Sequence, residues 1–561
     1  MKMRNRNWTA LLFWIVPVLF LLAFYFYPLI QVAWRSLIQP GSISEFGLSN
    51  LRTAWRSVRF SFWQAFLSTA ITAFVGLPAA YLFGRFKFPG RNALRIASTL
   101  PFILPTVVVA AAFNALIGTH GWLNIILMYI FGLTQPPINL FGTLGAIILA
   151  HMFYNVSIFI RVVGTAWERL DQKIEHAARM LSSSPWQTFT RITLPLLLPS
   201  IISALLLVFL FDFTSFGVIL LMGGARFATM EVEIYIQTTQ FLNLKLAGLL
   251  ALIQLFFSIS ITYLGRRLDA NSFVPVTPVI SDKGLHDPRS GWQKVFVIVM
   301  FVLLVMLTVM PLVALVLRTF LVQETVAAGD SFRFSLSHFE RIFINERDAL
   351  FFVPPFIALR NSALYAFAAM VIAIFMGVFF VVGSGWSSRL RAAMDTMVML
   401  PLGTSAVTLG LGYLLAFSVS RASVAFYPLL IPIAHALIAL PFVVRIIQPA
   451  INAIPANQHD AAVVLGVPRR KLWWKLDLPI IKKPLITAAI YAFAISLGEF
   501  GATTFLARPE IPTLPVAIFR YFGLPGQENF GKALAMSVIL LAACAAGFIA
   551  IENLQQTPEA D

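Results

Sequence analysis

Residues 457–483 read NQHDAAVVLGVPRRKLWWKLDLPIIKK, a polar and basic interruption in a chain that is otherwise mostly apolar. Asn457 suits a helix cap, and Asp460 falls in the first turn, where a carboxylate meets the positive end of the helix dipole. Ala461 and Ala462 give that helix a smooth patch that another backbone can approach closely. Gly466 suits the left-handed turn that stops the helix, and Pro468 suits the first turn of a second one. The second helix is basic, carries Trp473 and Trp474, and leads through Leu478 and Pro479 into an apolar run. The stretch predicts a helix–turn–helix elbow between two membrane segments, with its small-residue face exposed.

The elbow occurs twice. Subtracting 284 places His176, Ala177 and Ala178 on Asp460, Ala461 and Ala462, Leu181 on Leu465, and Leu194 and Pro195 on Leu478 and Pro479. The register holds without a gap beyond the elbow: His151 falls on His435, Arg161 on Arg445, Phe216 and Gly217 on Phe500 and Gly501, and Thr229 on Thr513. A self-match of this length marks an internal duplication. The first copy has Ser182 in place of the glycine and His176 in place of the acid, with Glu175 one position earlier. Its turn is expected to survive, because Ser184 can cap and Pro185 can start the second helix.

Composition sets the class. Of 561 residues, 59% are hydrophobic and 12% charged, too apolar for a soluble chain of this length. The net charge of +17 would suggest nucleic acid in a soluble protein. Here the cations cluster beside apolar runs, so anionic lipid head groups and topology account for them and no nucleic-acid partner is expected. The single cysteine, Cys544, lies in an apolar run and rules out an internal disulfide.

Twelve spans are expected, near 11–32, 62–84, 96–117, 141–163, 199–222, 244–264, 294–317, 362–382, 394–417, 424–447, 484–506 and 532–551. The first is read as a retained span, being long for a signal-peptide core. Lys2, Arg4 and Arg6 place the N-terminus in the cytosol, and twelve spans bring the C-terminus there too. Residues 34–61 are expected outside, against the sense of Arg52, Arg56 and Arg59. Arg85, Lys87, Arg91 and Arg95 mark a cytosolic loop, and the Pro- and Gly-containing stretch 269–293 a cytosolic linker. Pro101, Pro105 and Pro401 are expected to kink span three and its counterpart, as gates or as packing features.

The chemistry-bearing residues are few. Gly526, Gly531 and Lys532 fit a phosphate-loop spacing, but Ala533 stands where a metal-holding hydroxyl belongs and no strand precedes them, so the chain is read as having no ATP site. Asp212 and Glu499 lie in or at the ends of spans five and eleven, either lining a pathway for a cation or sitting hydrated or paired at a boundary. They are not register-equivalent, since Glu499 falls on Ser215. His151 and His435 are equivalent, and interhelical hydrogen bonding is favoured for them over binding a metal or a proton. Arg161 and Arg445 read as interfacial anchors, and Trp473 and Trp474 as anchors or partner contacts. No catalytic cluster and no metal-ligand spacing is found.

Both elbows resemble the cytosolic loop of permease subunits of binding-protein-dependent ATP-binding cassette importers, whose pattern is Glu-Ala-Ala, three residues, Gly, nine residues, Ile, one residue, Leu-Pro. The second copy has Asp460, Ala461, Ala462, Gly466, Leu476, Leu478 and Pro479, and the first His176, Ala177, Ala178, Ser182, Ile192, Leu194 and Pro195. The resemblance implies an all-α polytopic protein of about twelve transmembrane helices in two tandem homologous six-helix halves, related by a pseudo-twofold axis along the membrane normal. The halves would be 1–268 and 294–561, joined by 269–293, with coupling loops at 164–198 and 448–483. It implies two ATP-binding cassette ATPase subunits seated on Glu175, His176, Ala177, Ala178 and Ser182 and on Asp460, Ala461, Ala462 and Gly466. It further implies a periplasmic or lipid-anchored solute-binding protein, a bacterial cytoplasmic (inner) membrane, and ATP and magnesium used by the partner rather than by a cofactor in this chain. Two fused halves are similar to the iron(III) and thiamine branch. The runs 59–67 (RFSFWQAFL), 88–91 (FPGR) and 121–123 (GWL) look like thiamine permeases, whereas 100–105 (LPFILP) and 496–501 (SLGEFG) are equally similar to iron(III) permeases. An ion-coupled secondary transporter with a duplicated six-helix fold is the alternative.

Overall fold

In hydrocarbon every backbone amide needs a partner within the protein, and apolar runs meet that need as helices. The computed structural model describes the chain apart from residues 1–5, 39–46, 269–284, 327–328, 345–353, 384–387, 418–422, 455–457, 459–463, 465–471 and 557–561. Among the described residues it holds 11 helices long and apolar enough to cross a membrane, or 12 if one bent pair is a single span. That pair, Met394–Gly403 and Ala406–Phe417, turns through 99° at the break 404–405, just after a 3-10 turn over Leu400–Gly403 that holds Pro401 near its start. Leu100–Ile103 forms the same turn in the first half. One antiparallel hairpin, Leu321–Val326 with Gly329–Phe334, interrupts the helical plan between two spans.

The duplication is visible in the packing. One three-helix core joins Leu48–Arg85, Leu144–Phe159 and Leu194–Phe213; the other joins Pro355–Gly383, Ser423–Asn452 and Leu478–Gly498. Each depends on a close approach at glycine. A Cβ on Gly76 would lie 2.6 Å from the Phe159 ring, and one on Gly377 would lie 2.6 Å from Val443, which is the residue equivalent to Phe159. Small residues at such crossings let helices gain contact area that lipid cannot supply.

The compact units do not follow the sequence halves. One comprises residues 1–43, 342–520 and 539–561, the other 44–341 and 521–538. In the former, Arg6–Leu21 packs on Pro355–Gly383 and Tyr27–Ala33 on Ala406–Phe417. In the latter, Met310–Thr319 packs on Thr106–Ile117. Each half therefore lends its first span to the unit built on the other. The lent spans share a shape: a five-residue π-turn, Leu22–Phe26 or Val305–Val309, comes just before Pro28 or Pro311. The wider turn accommodates a proline ring that would otherwise meet the carbonyl four residues back.

Several expected boundaries move. Residues 48–61 are helical, because Leu48–Arg85 is a single 38-residue helix. At ~1.5 Å per residue it is about 57 Å long, against a hydrocarbon core of ~30 Å, so its first turns stand beyond the core. Arg52, Arg56 and Arg59 sit exposed on those turns. The membrane helix of span three starts at Thr106; Arg91–Thr99 is a separate amphipathic helix. Spans five and eleven are broken, the first after Phe213 and the second after Gly498, before the short helices Gly217–Met222 and Gly501–Leu506. The linker's described end is pinned: His286 N donates to Arg85 O at 3.0 Å, and Lys87 N to His286 O at 3.1 Å.

Candidate functional site

The backbone of the first elbow is described throughout. Its leading helix, Gln172–Met180, is capped by Asp171, whose carboxylate accepts from Lys173 N at 2.9 Å. It stops at Ser182, which takes the left-handed conformation, φ 65°, expected of the glycine in the second copy. Ser182 N donates to Arg179 O and Ser183 N to Ala178 O, so the last carbonyls are satisfied by a Schellman closure. The next helix begins as its sequence predicts: Ser184 and Gln187 form a reciprocal capping box, with Pro185 in the first turn. That helix continues into the membrane without a stop, through a π-turn at Phe189–Thr193. An equivalent π-turn, Trp473–Asp477, lies 284 residues on, at the start of Leu478–Gly498.

The elbow is held by charges that sequence reading missed. Glu175 accepts from the Arg85 guanidinium at the end of span two and from the Thr193 hydroxyl at 2.7 Å. Glu168, nearly buried, takes Arg91 at 2.5 Å and Arg95 at 3.4 Å. Arg91 also donates to the Phe83 carbonyl at 2.8 Å. Cations read as topology markers are thus partly structural.

The exposed face differs from the expected one in one respect. Ala178 is 7% exposed, whereas the expected seat has it on the surface. His176 and Ala177 are exposed, and beside them Met180, Leu181 and Trp186 are 87%, 83% and 71% exposed. In the second elbow, Asp460, Ala461, Ala462 and Gly466 lie outside the described residues. Val464 and Trp474 are described and exposed.

The second cluster lies in the membrane. His151 and His435 are on the two spans with the largest buried share, 78% for Leu144–Arg169 and 83% for Pro428–Asn452. His151 Nε2 is 2.9 Å from Ser215 Oγ, and its Nδ1 is 3.3 Å from Asp212 Oδ1, with Gln64 and Ser68 also within 3.1 Å of Nδ1. Asn155 donates to the same Asp212 oxygen at 2.6 Å. His435 Nδ1 is 2.7 Å from Ser496 Oγ, and its Nε2 is 3.0 Å from Glu499 Oε2 and 2.7 Å from Thr503 Oγ1. Glu499 also accepts from Ala502 N at 2.8 Å and Thr503 N at 3.1 Å.

The two arrangements are one design with two residues exchanged. Positions 212 and 496 are equivalent, as are 215 and 499; the first pair is Asp and Ser, the second Ser and Glu. Each imidazole has a carboxylate on one nitrogen and a serine hydroxyl on the other, with the sides reversed. Assigned from its Glu499 partner, His435 carries its proton on Nε2, whereas His151 Nδ1 faces both the Asp212 carboxylate and the donating Gln64 amide nitrogen. Reading the two copies in register at 212, 215, 496 and 499 together would have revealed the exchange. The phosphate-loop-like string is the beginning of a helix, Gln527–Gln556. Its Gly531 lies against the His338 ring, and Lys532 pairs with Glu528 at 2.8 Å.

A polytopic helical chain with a repeated elbow and repeated broken spans is built as a membrane permease. The chain belongs to the family described as binding-protein-dependent transport system inner membrane component, which it matches over residues 74–270 and 356–558. It is a fused, two-half permease of that family, and the ion-coupled secondary transporter is set aside. Its relatives include the thiamine transport system permease protein ThiP of Escherichia coli (strain K12), 26% identical over 515 residues and 89% of each chain. They also include the probable ABC transporter permease protein y4fN of Sinorhizobium fredii (strain NBRC 101917 / NGR234), 24% identical over 96% of this chain and 95% of the relative. Among solved structures, a bacterial alginate ABC transporter in complex with its alginate pentasaccharide-bound periplasmic protein matches at TM-score 0.39 and 18% identity, over 49% of this chain and 98% of that one.

Proposed function

We propose that this permease imports thiamine or a closely related organic cation, received from an external solute-binding protein and driven by two ATP-binding cassette ATPase subunits. The observation that carries the reading is the family match over both halves, joined to relatives named for thiamine transport along most of the chain. Ferric iron is the second candidate, since the runs 100–105 and 496–501 resemble those of iron(III) permeases. The duplication units are 1–268 and 294–561, with the linker 269–293 and both termini on the cytosolic side of a bacterial inner membrane. Catalysis and the ATP–magnesium cofactor belong to the partner, and this chain takes no metal.

Each ATPase sits on one elbow. The seat on the first is Glu175, His176, Ala177 and Ser182 with the exposed Met180, Leu181 and Trp186, whereas Ala178 supports it from beneath. Asp460, Ala461, Ala462 and Gly466 form the second. Closure of the ATPases pushes on both elbows, and each push enters the membrane along a helix continuous with its elbow. ATP and loaded binding protein must stabilise different states for this to move solute.

The test is reconstitution of permease, ATPase and binding protein in proteoliposomes, with radiolabelled thiamine and ferric iron offered separately. Thiamine uptake that needs ATP and survives a collapsed proton gradient is expected. Iron uptake alone would overturn the choice of solute. Ala177→Arg is expected to leave the spans folded and to separate ATP hydrolysis from uptake. Normal uptake by that variant would remove the first elbow as an ATPase seat.

A further inference from the structure

We propose that the two imidazole–carboxylate–serine clusters are fastenings, by which spans four and ten hold the broken ends of spans five and eleven, and that His151, Asp212, His435 and Glu499 are positioning residues rather than solute ligands. The inference rests on the transport reading above and deepens it.

Three observations carry it. First, the clusters sit at the breaks. Asp212 is one residue before the end of Leu194–Phe213 and Ser215 lies in the gap; Ser496 is near the end of Leu478–Gly498 and Glu499 lies in the gap. A helix interrupted in hydrocarbon leaves amides and carbonyls to satisfy and is a natural pivot. Second, three of the four carboxylate oxygens are already used, and the fourth, Asp212 Oδ2, is buried and accepts no hydrogen bond among the described residues. Asp212 Oδ1 faces Asn155 and His151, and Glu499 faces two backbone amides, Thr503 and His435. Asp212 is fully buried and Glu499 is 8% exposed, so neither faces an open channel in this state. Third, the exchange of acid and hydroxyl between the copies preserves the fastening while moving the charge. A site that reads a solute depends on where its charge lies; a fastening needs only one carboxylate and one hydroxyl on opposite nitrogens of the ring.

A fastening sets how readily the broken end swings, and so how fast the permease alternates, without contributing to solute affinity. Asp212→Ser removes the carboxylate from the first cluster. Asp212→Ser with Ser215→Glu rebuilds there the arrangement of the second. The full-length protein in nanodiscs is followed by amide exchange across 213–217, a readout that needs no solute. The single variant is expected to exchange about tenfold faster there and the double variant close to the unchanged rate. In proteoliposomes with ATPase and binding protein, the single variant is expected to lose maximal thiamine uptake with KM unchanged, and the double variant to recover it. His435→Gln is expected to show the same split of kcat from KM. If the unchanged complex does not carry thiamine, the solute assignment fails, while the exchange arm still decides the fastening. The fastening is overturned if Asp212→Ser exchanges and transports like the unchanged protein. It is overturned equally if KM rises in the variants, or if the double variant is no better than the single or does not fold.

Discussion

Glu168→Leu tests what holds the first elbow to the membrane bundle. The carboxylate is 2% exposed and lies 2.5 Å from Arg91, itself 6% exposed, with Arg95 at 3.4 Å. Removing one partner of a buried pair costs about 3–5 kcal/mol, because the remaining charge is left in a poor solvent. Arg91 retains its bond to the Phe83 carbonyl, which places the cost near the lower end, about 3 kcal/mol. For a unit of this size about 2 °C is lost per kcal/mol, so the melting point should fall by about 6 °C. The assay is thermal unfolding in nanodiscs followed by tryptophan fluorescence, with Trp167 next to the substituted residue. Glu168→Gln keeps an acceptor for Arg91 and should fall about half as far. Arg91→Leu with Glu168→Leu should recover part of the loss, because no lone charge from that pair remains. If Glu168→Leu melts with the unchanged protein, or the double variant melts below both singles, the ion pairs do not fasten the elbow.

Three further outcomes are expected. Ser182→Gly relieves a left-handed serine and should stabilise the elbow by about 1 kcal/mol, whereas Ser182→Val should weaken it and speed proteolysis there. Gly76→Leu drives a side chain into the Phe159 ring and should cost about 1–3 kcal/mol, seen as a lower melting point or poor assembly, with Gly76→Ala milder. His338 lies outside the spans, and burial, then nearby Arg318 and Arg341, hold its imidazole below the usual 6.5 against the Thr319 carbonyl that raises it. The unfolded chain therefore binds a proton there before the folded one, so this contribution is full above pH 6.5 and is lost as the pH falls below it. Melting curves at descending pH should show the loss, and His338→Gln should flatten it.

What the sequence revealed was local chemistry. Ser184, Gln187 and Pro185 signal a helix start within four residues, and the structure builds it there. The serine at 182 was readable as a glycine substitute only because the other copy stood in register. The breaks at 214–216 and 499–500 were not legible, because Phe213, Phe216 and Phe500 flank only a few polar residues and the apolar run resumes after each. What meets each break comes from a histidine some sixty residues earlier in the chain. Arg52, Arg56 and Arg59 looked like a loop because hydropathy marks where hydrocarbon begins, not where a helix does. Ala178 shows the remaining limit: its burial cannot be read from the helix it stands on.

The traded first spans bear on how such a chain could be divided. A fragment ending in the linker would carry Arg6–Leu21 with no Pro355–Gly383 to lie against, and would leave Thr106–Ile117 without Met310–Thr319. Each piece would thus hold its sibling's missing rib and lack its own. Severed copies should survive only when made together, so joining them in one polypeptide fixes their stoichiometry at synthesis.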